Sequence, residues 1–122
     1  MILDSNILIY SALPEHAFLK DYIRTHRPFV SWVSYVEVLG FHRLTAEHRQ
    51  YFEEFFDAAA LLPIDMAIVL LATRIRQQKS MSLGDSLLAA TARHYNFPLV
   101  TRNVGDFKHV PGLHLVNPFD NP

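Results

Sequence analysis

"FPLVTRNVGDF", residues 97–107, decides how the chain is read. Phe97, Pro98, Leu99 and Val100 make a short apolar run of the kind a buried strand carries. The chain then lays down Thr101, Arg102, Asn103 and Asp106 before Phe107 returns to apolar character. A variable surface loop accounts for such a stretch cheaply. A ligand site beyond the end of a strand accounts for it equally well.

Outward from this stretch, short apolar strands alternate with helical segments. Upstream, the helix opened by Asp85 after Gly84 is expected to run through Ala92 to about Tyr95, and downstream Leu113–Val116 supplies a last strand. At the other end of the chain, Ile2-Leu3 reads as a very short strand, followed by an apolar helix to about Ala12. Pro14 breaks it, and Glu15 to about His26 reads as a helix with Phe18, Leu19, Tyr22 and Ile23 on one face. Phe29–Ser31 is a second strand, and a helix from Ser31 or Ser34 is expected to reach about Leu44. Thr45 caps the next helix, whose stripe of Phe52, Phe55, Phe56 and Ala59 opposes a solvated face of Glu47, Glu53, Glu54 and Asp57. Leu61–Ile64 is a third strand, Asp65 a cap, and Met66 to about Gln78 a helix. The alternation predicts one α/β domain over residues 1–122, with a short, mainly parallel sheet covered by helices on both faces.

Composition narrows the function. The 122 residues are 50% hydrophobic and 19% charged, enough for one substantial core. A formal net charge of -1 excludes a broadly basic surface as the means of holding a polyanion, so nucleic acid would need local cations or metal ions. There is no cysteine, which fits a reducing cytoplasm. The apolar run Ile7–Tyr10 has Asp4 before it and no basic leader, so neither a signal peptide nor a membrane association is expected.

Ligands of open α/β sheets gather beyond the carboxyl ends of the strands. Asp4 follows the first strand, and Thr101, Asn103 and Asp106 follow the fourth. Glu37 lies about one turn into the helix after the second strand, and Asp85 starts the helix feeding the fourth. Each has a structural reading: Asp4 and Asp85 as N-caps, Ser34 with Glu37 as a capping box, Asp106 as an Asx-turn residue. Four acids at one end of a sheet are harder to explain singly. At ~5 Å and an effective dielectric of ~20, each like-charged pair costs about 3 kcal/mol. Hard oxygen donors without thiols point to Mg²⁺ or Mn²⁺, and such ions to a phosphodiester substrate.

The segments "LDSNILIY" (3–10), "SWVSYVEVLG" (31–40), "GDSLLAATA" (84–92) and "TRNVGDF" (101–107) resemble, in order and spacing, the four acidic motifs of PIN domains, most closely those of VapC toxins of toxin-antitoxin pairs. The resemblance implies a PIN-like three-layer α/β/α fold and a metal-dependent endoribonuclease. It makes Asp4, Glu37, Asp85 and Asp106 the catalytic and metal-holding quartet, with Ser5, Asn6, Ser34, Thr101 and Asn103 as polar support. It also implies Mg²⁺ or Mn²⁺ as cofactor, an RNA substrate, a homodimer, and a cognate antitoxin bound across the helices near the site, in a higher assembly. Only three residues precede Asp4, where relatives have a longer first strand, so this strand is expected to be weakly held.

Arg102 and Lys108 flank the site in sequence and are the first candidates for RNA phosphates; Arg43, Arg74, Arg76 and Arg93 read as helix surface. Trp32 and the phenylalanine stripe read as core or partner surface. The seven histidines form no recognisable pair for metal-free acid-base cleavage and read as mostly surface residues, with His42 and His94 nearest to RNA. Two rivals use the same sequence: a PIN-type module that only binds RNA or a partner, and a metal-dependent phosphatase. The first is expected to lack one of the four acids, and the second to carry a clustered-glycine phosphate loop; neither feature is present.

Overall fold

A computed structural model of the chain describes residues 1–120. The strands are β1 (Ile2–Leu3), β2 (Val30–Ser31), β3 (Leu61–Leu62), β4 (Leu99–Val100) and β5 (Leu115–Val116), and every pairing among them is parallel. They form the sets β1-β4-β5 and β2-β3, joined by a parallel bridge between Ile2 and Phe29, so the order across the domain is β3-β2-β1-β4-β5. The helices are α1 (Ser5–Ser11), α2 (Phe18–His26), α3 (Trp32–Leu39), α4 (Ala46–Ala58), α5 (Met66–Gln78), α6 (Leu83–Tyr95) and a single turn, α7 (Val104–Phe107). None of them is long and apolar enough to cross a membrane.

Successive strand residues point to opposite faces, and two residues per strand suffice to build two cores. Ile2 and Leu99 pack with α5 and α6 residues such as Ile68, Ile75 and Ala89. Leu3, Val30 and Val100 pack with Ile7, Leu8, Leu19, Val38, Phe52 and Phe56 of α1 to α4. This is the expected three-layer α/β/α arrangement.

The first strand is not weakly held. Ile2 and Leu3 are fully buried, and hydrogen bonds tie this segment to Pro98, Val100 and Phe29 on its two sides. Its central place in the sheet supplies what its length does not.

Other differences trace to caps. α3 stops at Leu39 rather than Leu44, because Gly40 closes it with an N–H to the Val36 carbonyl. Pro14 opens a 3-10 turn over Pro14–His16, so α2 begins at Phe18 rather than at Glu15. Pro63 limits β3 to two residues, consistent with its missing N–H. α6 begins at Leu83, with Ser82 as its cap in place of Asp85. Thr45 and Asp65 cap α4 and α5 as expected, accepting from the His48 and Ile68 amides. The phenylalanine stripe is largely consumed by the core: Phe52 and Phe56 are buried and only Phe55 is half-exposed.

Candidate active site

Asp4 leaves the carboxyl end of β1 at the N-cap position of α1, yet its side chain makes no cap bond. Its carboxylate instead accepts a 2.8 Å hydrogen bond from the Thr101 hydroxyl at the end of β4. Thr101 Oγ1 in turn accepts the Asn103 amide at 3.0 Å, so one hydroxyl both fixes Asp4 and folds the start of the TRNVGDF turn. Asp4 is 3% exposed. Burial pushes its pKa from 3.8 up to about 6; the Thr101 bond and the Asn6 amide oppose the shift, and repulsion from Asp85 and Glu37 adds to it.

Glu37 is presented by α3. The capping-box reading of Ser34 with Glu37 fails, because Ser31 caps α3 by accepting the Val33 amide. Ser34 and Ser5 hydroxyls meet at 2.8 Å, and Ser5 Oγ lies 2.7 Å from Glu37 Oε1. An ionised carboxylate only accepts, so the Ser5 proton goes to Glu37 and Ser34 supplies the proton between the two hydroxyls.

Asp85 sits in the first turn of α6, where its amide, not its carboxylate, serves the Ser82 cap at 3.1 Å. Half-burial raises its pKa, the Ser82 hydroxyl lowers it, and Asp106 and Glu37 raise it again. Asp106 lies on α7; its amide bonds the Asn103 carbonyl, and its exposed side chain forms no Asx turn. The four acids therefore face one another electrostatically at the carboxyl edge of the sheet, and none of them is engaged as a cap. Asn6 is half-buried one residue beyond Ser5.

Gly84 makes this possible, and its role was not readable beforehand. A Cβ there would stand 2.6 Å from Glu37 Oε2 and 3.0 Å from its carboxyl carbon. Gly84→Ala is expected to displace the Glu37 carboxylate while the fold holds and helix propensity improves by up to about 1 kcal/mol. Melting temperature and a crystal structure of the variant together check this; an unmoved Glu37 would show that its position does not depend on this glycine.

Among the described residues, no three His, Asp or Glu side chains converge closely enough to hold a metal ion by themselves. The donor set nonetheless fits a hard divalent ion. It is all oxygen, two of its members are raised by burial and mutual repulsion, and Mg²⁺ or Mn²⁺ needs only one or two carboxylates beside water and substrate oxygens.

Of the predicted RNA contacts, Lys108 is exposed at the end of α7. Arg102 is exposed but oriented: its guanidinium carbon lies 4.2 Å from the Phe119 ring centre and 5.3 Å from that of Tyr10. Cation-π contact uses the face of the guanidinium and leaves its in-plane N–H donors available. His42 and His94 are exposed as expected, whereas both ring nitrogens of His109 are buried, which corrects its surface reading.

The chain is thus a parallel three-layer α/β/α domain with four carboxylates at the carboxyl edge of its sheet. The chain belongs to the PIN domain family, whose model matches residues 1–113. It is 39% identical to the Ribonuclease VapC of Rickettsia bellii over 41 residues, which is 34% of this chain and 31% of that protein, so the match spans about a third of that relative's length. Solved structures of similar fold include a toxin-antitoxin complex from Klebsiella pneumoniae (TM-score 0.78, 24% identical, 96% of each chain covered). Another is VapBC2 of Rickettsia felis bound to a promoter DNA fragment (TM-score 0.82, 18% identical, 95% of this chain and 96% of that one).

Proposed function

We propose that the chain is a single PIN domain over residues 1–122 that acts as a metal-dependent endoribonuclease, the toxin of a toxin-antitoxin pair, in the cytoplasm. The observation that carries this reading is the quartet itself: buried Asp4 and half-buried Asp85 repel their acidic neighbours, and among the described residues no ion pair offsets that repulsion.

Asp4, Asp85 and Asp106 would hold one or two Mg²⁺ or Mn²⁺ ions, with Glu37 as a further ligand or as the group orienting the attacking water. A divalent ion supplies the charge that offsets the phosphate oxygens and acidifies water, so no side-chain nucleophile is required. Thr101 keeps the Asp4 carboxylate fixed, and the Ser34-Ser5 pair aims Glu37. Asn6 and Asn103 supply amides at the rim, and Arg102 and Lys108 contact RNA phosphates. Attack by water leaves fragments with 5′-phosphate and 3′-hydroxyl ends.

The cognate antitoxin fits the apolar groove between α1, α3 and α4, lined by Ile9, Leu13, Val38, Phe41 and Leu44 with Glu37 at its edge. Ile9 and Phe41 are 39% and 52% exposed there, so this groove, rather than the buried phenylalanine stripe, offers apolar surface to a partner. A homodimer, and a larger assembly with the antitoxin, would use the separate apolar surface of Trp32, Val36, Met66 and Leu83. The test is to incubate the purified protein with mixed cellular RNA: fragments are expected with Mg²⁺ or Mn²⁺ and none with chelator. Expression alone should arrest growth and co-expression with the antitoxin relieve it. Intact RNA under all three conditions, with normal growth, would leave only a binding module.

A further inference from the structure

Beyond β5 the chain runs beside the fourth acidic motif. Val116 pairs with Val100, and the Thr101 amide donates to the Val116 carbonyl at 2.9 Å. Asn117 then folds the chain over: its Oδ1 accepts the Phe119 amide at 3.0 Å, and Pro118 between them is buried. This turn carries the Phe119 ring onto Arg102, the 4.2 Å contact described above, with Tyr10 as the second ring at 5.3 Å. Phe119 is itself held edge-to-face by Tyr10, His16 and Phe18, at 5.8, 5.1 and 5.2 Å between ring centres.

Among the described residues Arg102 is the only arginine over an aromatic ring, and it joins no ion pair. An exposed arginine samples many rotamers, and fixing a phosphate through it costs that freedom; a side chain already stacked has given up most of it beforehand. The position of the stack also points to a particular phosphate. Asn6 and Tyr10, four residues apart, lie on one face of α1, with the Asn6 amide bonded to Asp4 at the quartet end. Tyr10 lies six residues past Asp4, roughly 9 Å along the helix axis. Arg102 over Tyr10 is thus placed for a phosphate flanking the one that the quartet serves.

We infer that Phe119, together with Tyr10, is a positioning residue for the RNA strand: the two rings hold the Arg102 guanidinium by its face and present its in-plane donors to the phosphate next to the scissile one. This role rests on the nuclease reading and extends it to the segment after β5, which the quartet itself does not use. The Phe119 ring also packs against the core under α1 and α2, so a purely structural role is the rival to be separated. Contacts of this kind set the register of the strand and carry no base preference.

Cleavage kinetics in Mn²⁺, over a range of salt and on an RNA chosen from those the wild type cuts, test it. Arg102→Gln should raise KM about tenfold with kcat within twofold, and should flatten the dependence of log KM on log salt by about 0.7, one single-strand phosphate contact. Phe119→Leu keeps apolar cover and loses the ring face; it should raise KM about fivefold alone and no further when added to Arg102→Gln. Phe119→Tyr restores a ring and should hold KM within about twofold of wild type. Arg102→Lys keeps the charge without the stacking plane, leaves the Phe119 turn intact, and should raise KM about threefold. An unchanged KM in Phe119→Leu, or an equal rise with and without Arg102, overturns the positioning role. A wild-type KM in Arg102→Lys overturns it too, whether or not Phe119→Leu folds. A wild-type protein that cuts no RNA in Mg²⁺ or Mn²⁺ overturns the nuclease reading and the positioning role together.

Discussion

Asp4→Asn stabilises the metal-free protein at pH 7. An acid whose folded-state pKa lies above its unfolded value holds its proton more tightly when folded, so stability is greatest below the unfolded pKa and falls as pH rises through the folded one. For Asp4 the window runs from 3.8 to about 6. At 1.36 kcal/mol per pH unit, the ionised carboxylate costs about 3 kcal/mol by pH 7. Asn keeps an oxygen for the Thr101 hydroxyl and carries no charge, so most of that cost disappears. For a chain of this size the gain is roughly 6–10 °C in melting temperature. It should shrink towards zero as the pH is lowered to about 4. Mg²⁺ should stabilise the wild type and leave the variant unmoved, narrowing the difference. Thermal unfolding in chelator across pH 4–8 checks this; a variant less stable than wild type at pH 7 would show that Asp4 is held as a structural residue.

Asp85→Asn and Asp106→Asn should each reduce cleavage about a thousandfold, equivalent to about 4 kcal/mol of transition-state stabilisation, with the fold intact. The Ser82 hydroxyl is the side-chain hydrogen-bond partner that lowers the Asp85 pKa, and the amide oxygen of asparagine still accepts from it, so the replacement at Asp85 breaks no structural bond. Asp120→Asn, remote from the quartet in sequence, serves as the matched change of charge. Rates within threefold of wild type in either site variant would remove that residue from the ion-holding set.

The placement of the candidate site was legible in large part because strand ends are easy to locate. Asp4 and Thr101 follow directly after two-residue apolar strands whose parallel pairing is shown by the structure, and the ordered spacing of the four acids did the rest. The details decided by side-chain direction were not legible. Ser31 and Ser34 are both reasonable caps for α3, and only the packing of α1 against α3 turns Ser34 towards Ser5. Gly84 reads as an ordinary helix-start residue until Glu37 is seen against it. Phe52, Phe55 and Phe56 have helical spacing in either a core or a partner surface, and the depth of the α4 packing settles that difference. His109 has no sequence signal for burial, since its surroundings come from the α5-α6 connection some thirty residues upstream.

The chemistry of the cut ends tests the central claim most directly. A histidine ribonuclease activates the ribose 2′-hydroxyl and leaves a 2′,3′-cyclic phosphate, whereas the four carboxylates would hold a divalent ion that acidifies water, and water attacking phosphorus opposite the 3′-oxygen breaks the P–O3′ bond. Fragments from a Mg²⁺ or Mn²⁺ digest should be degraded by a 5′-phosphate-dependent exonuclease and should resist 5′-labelling by kinase without prior phosphatase. A substrate carrying 2′-deoxyribose only at the scissile position should still be cut. Cyclic 2′,3′-phosphate ends that form equally well in chelator would contradict the account.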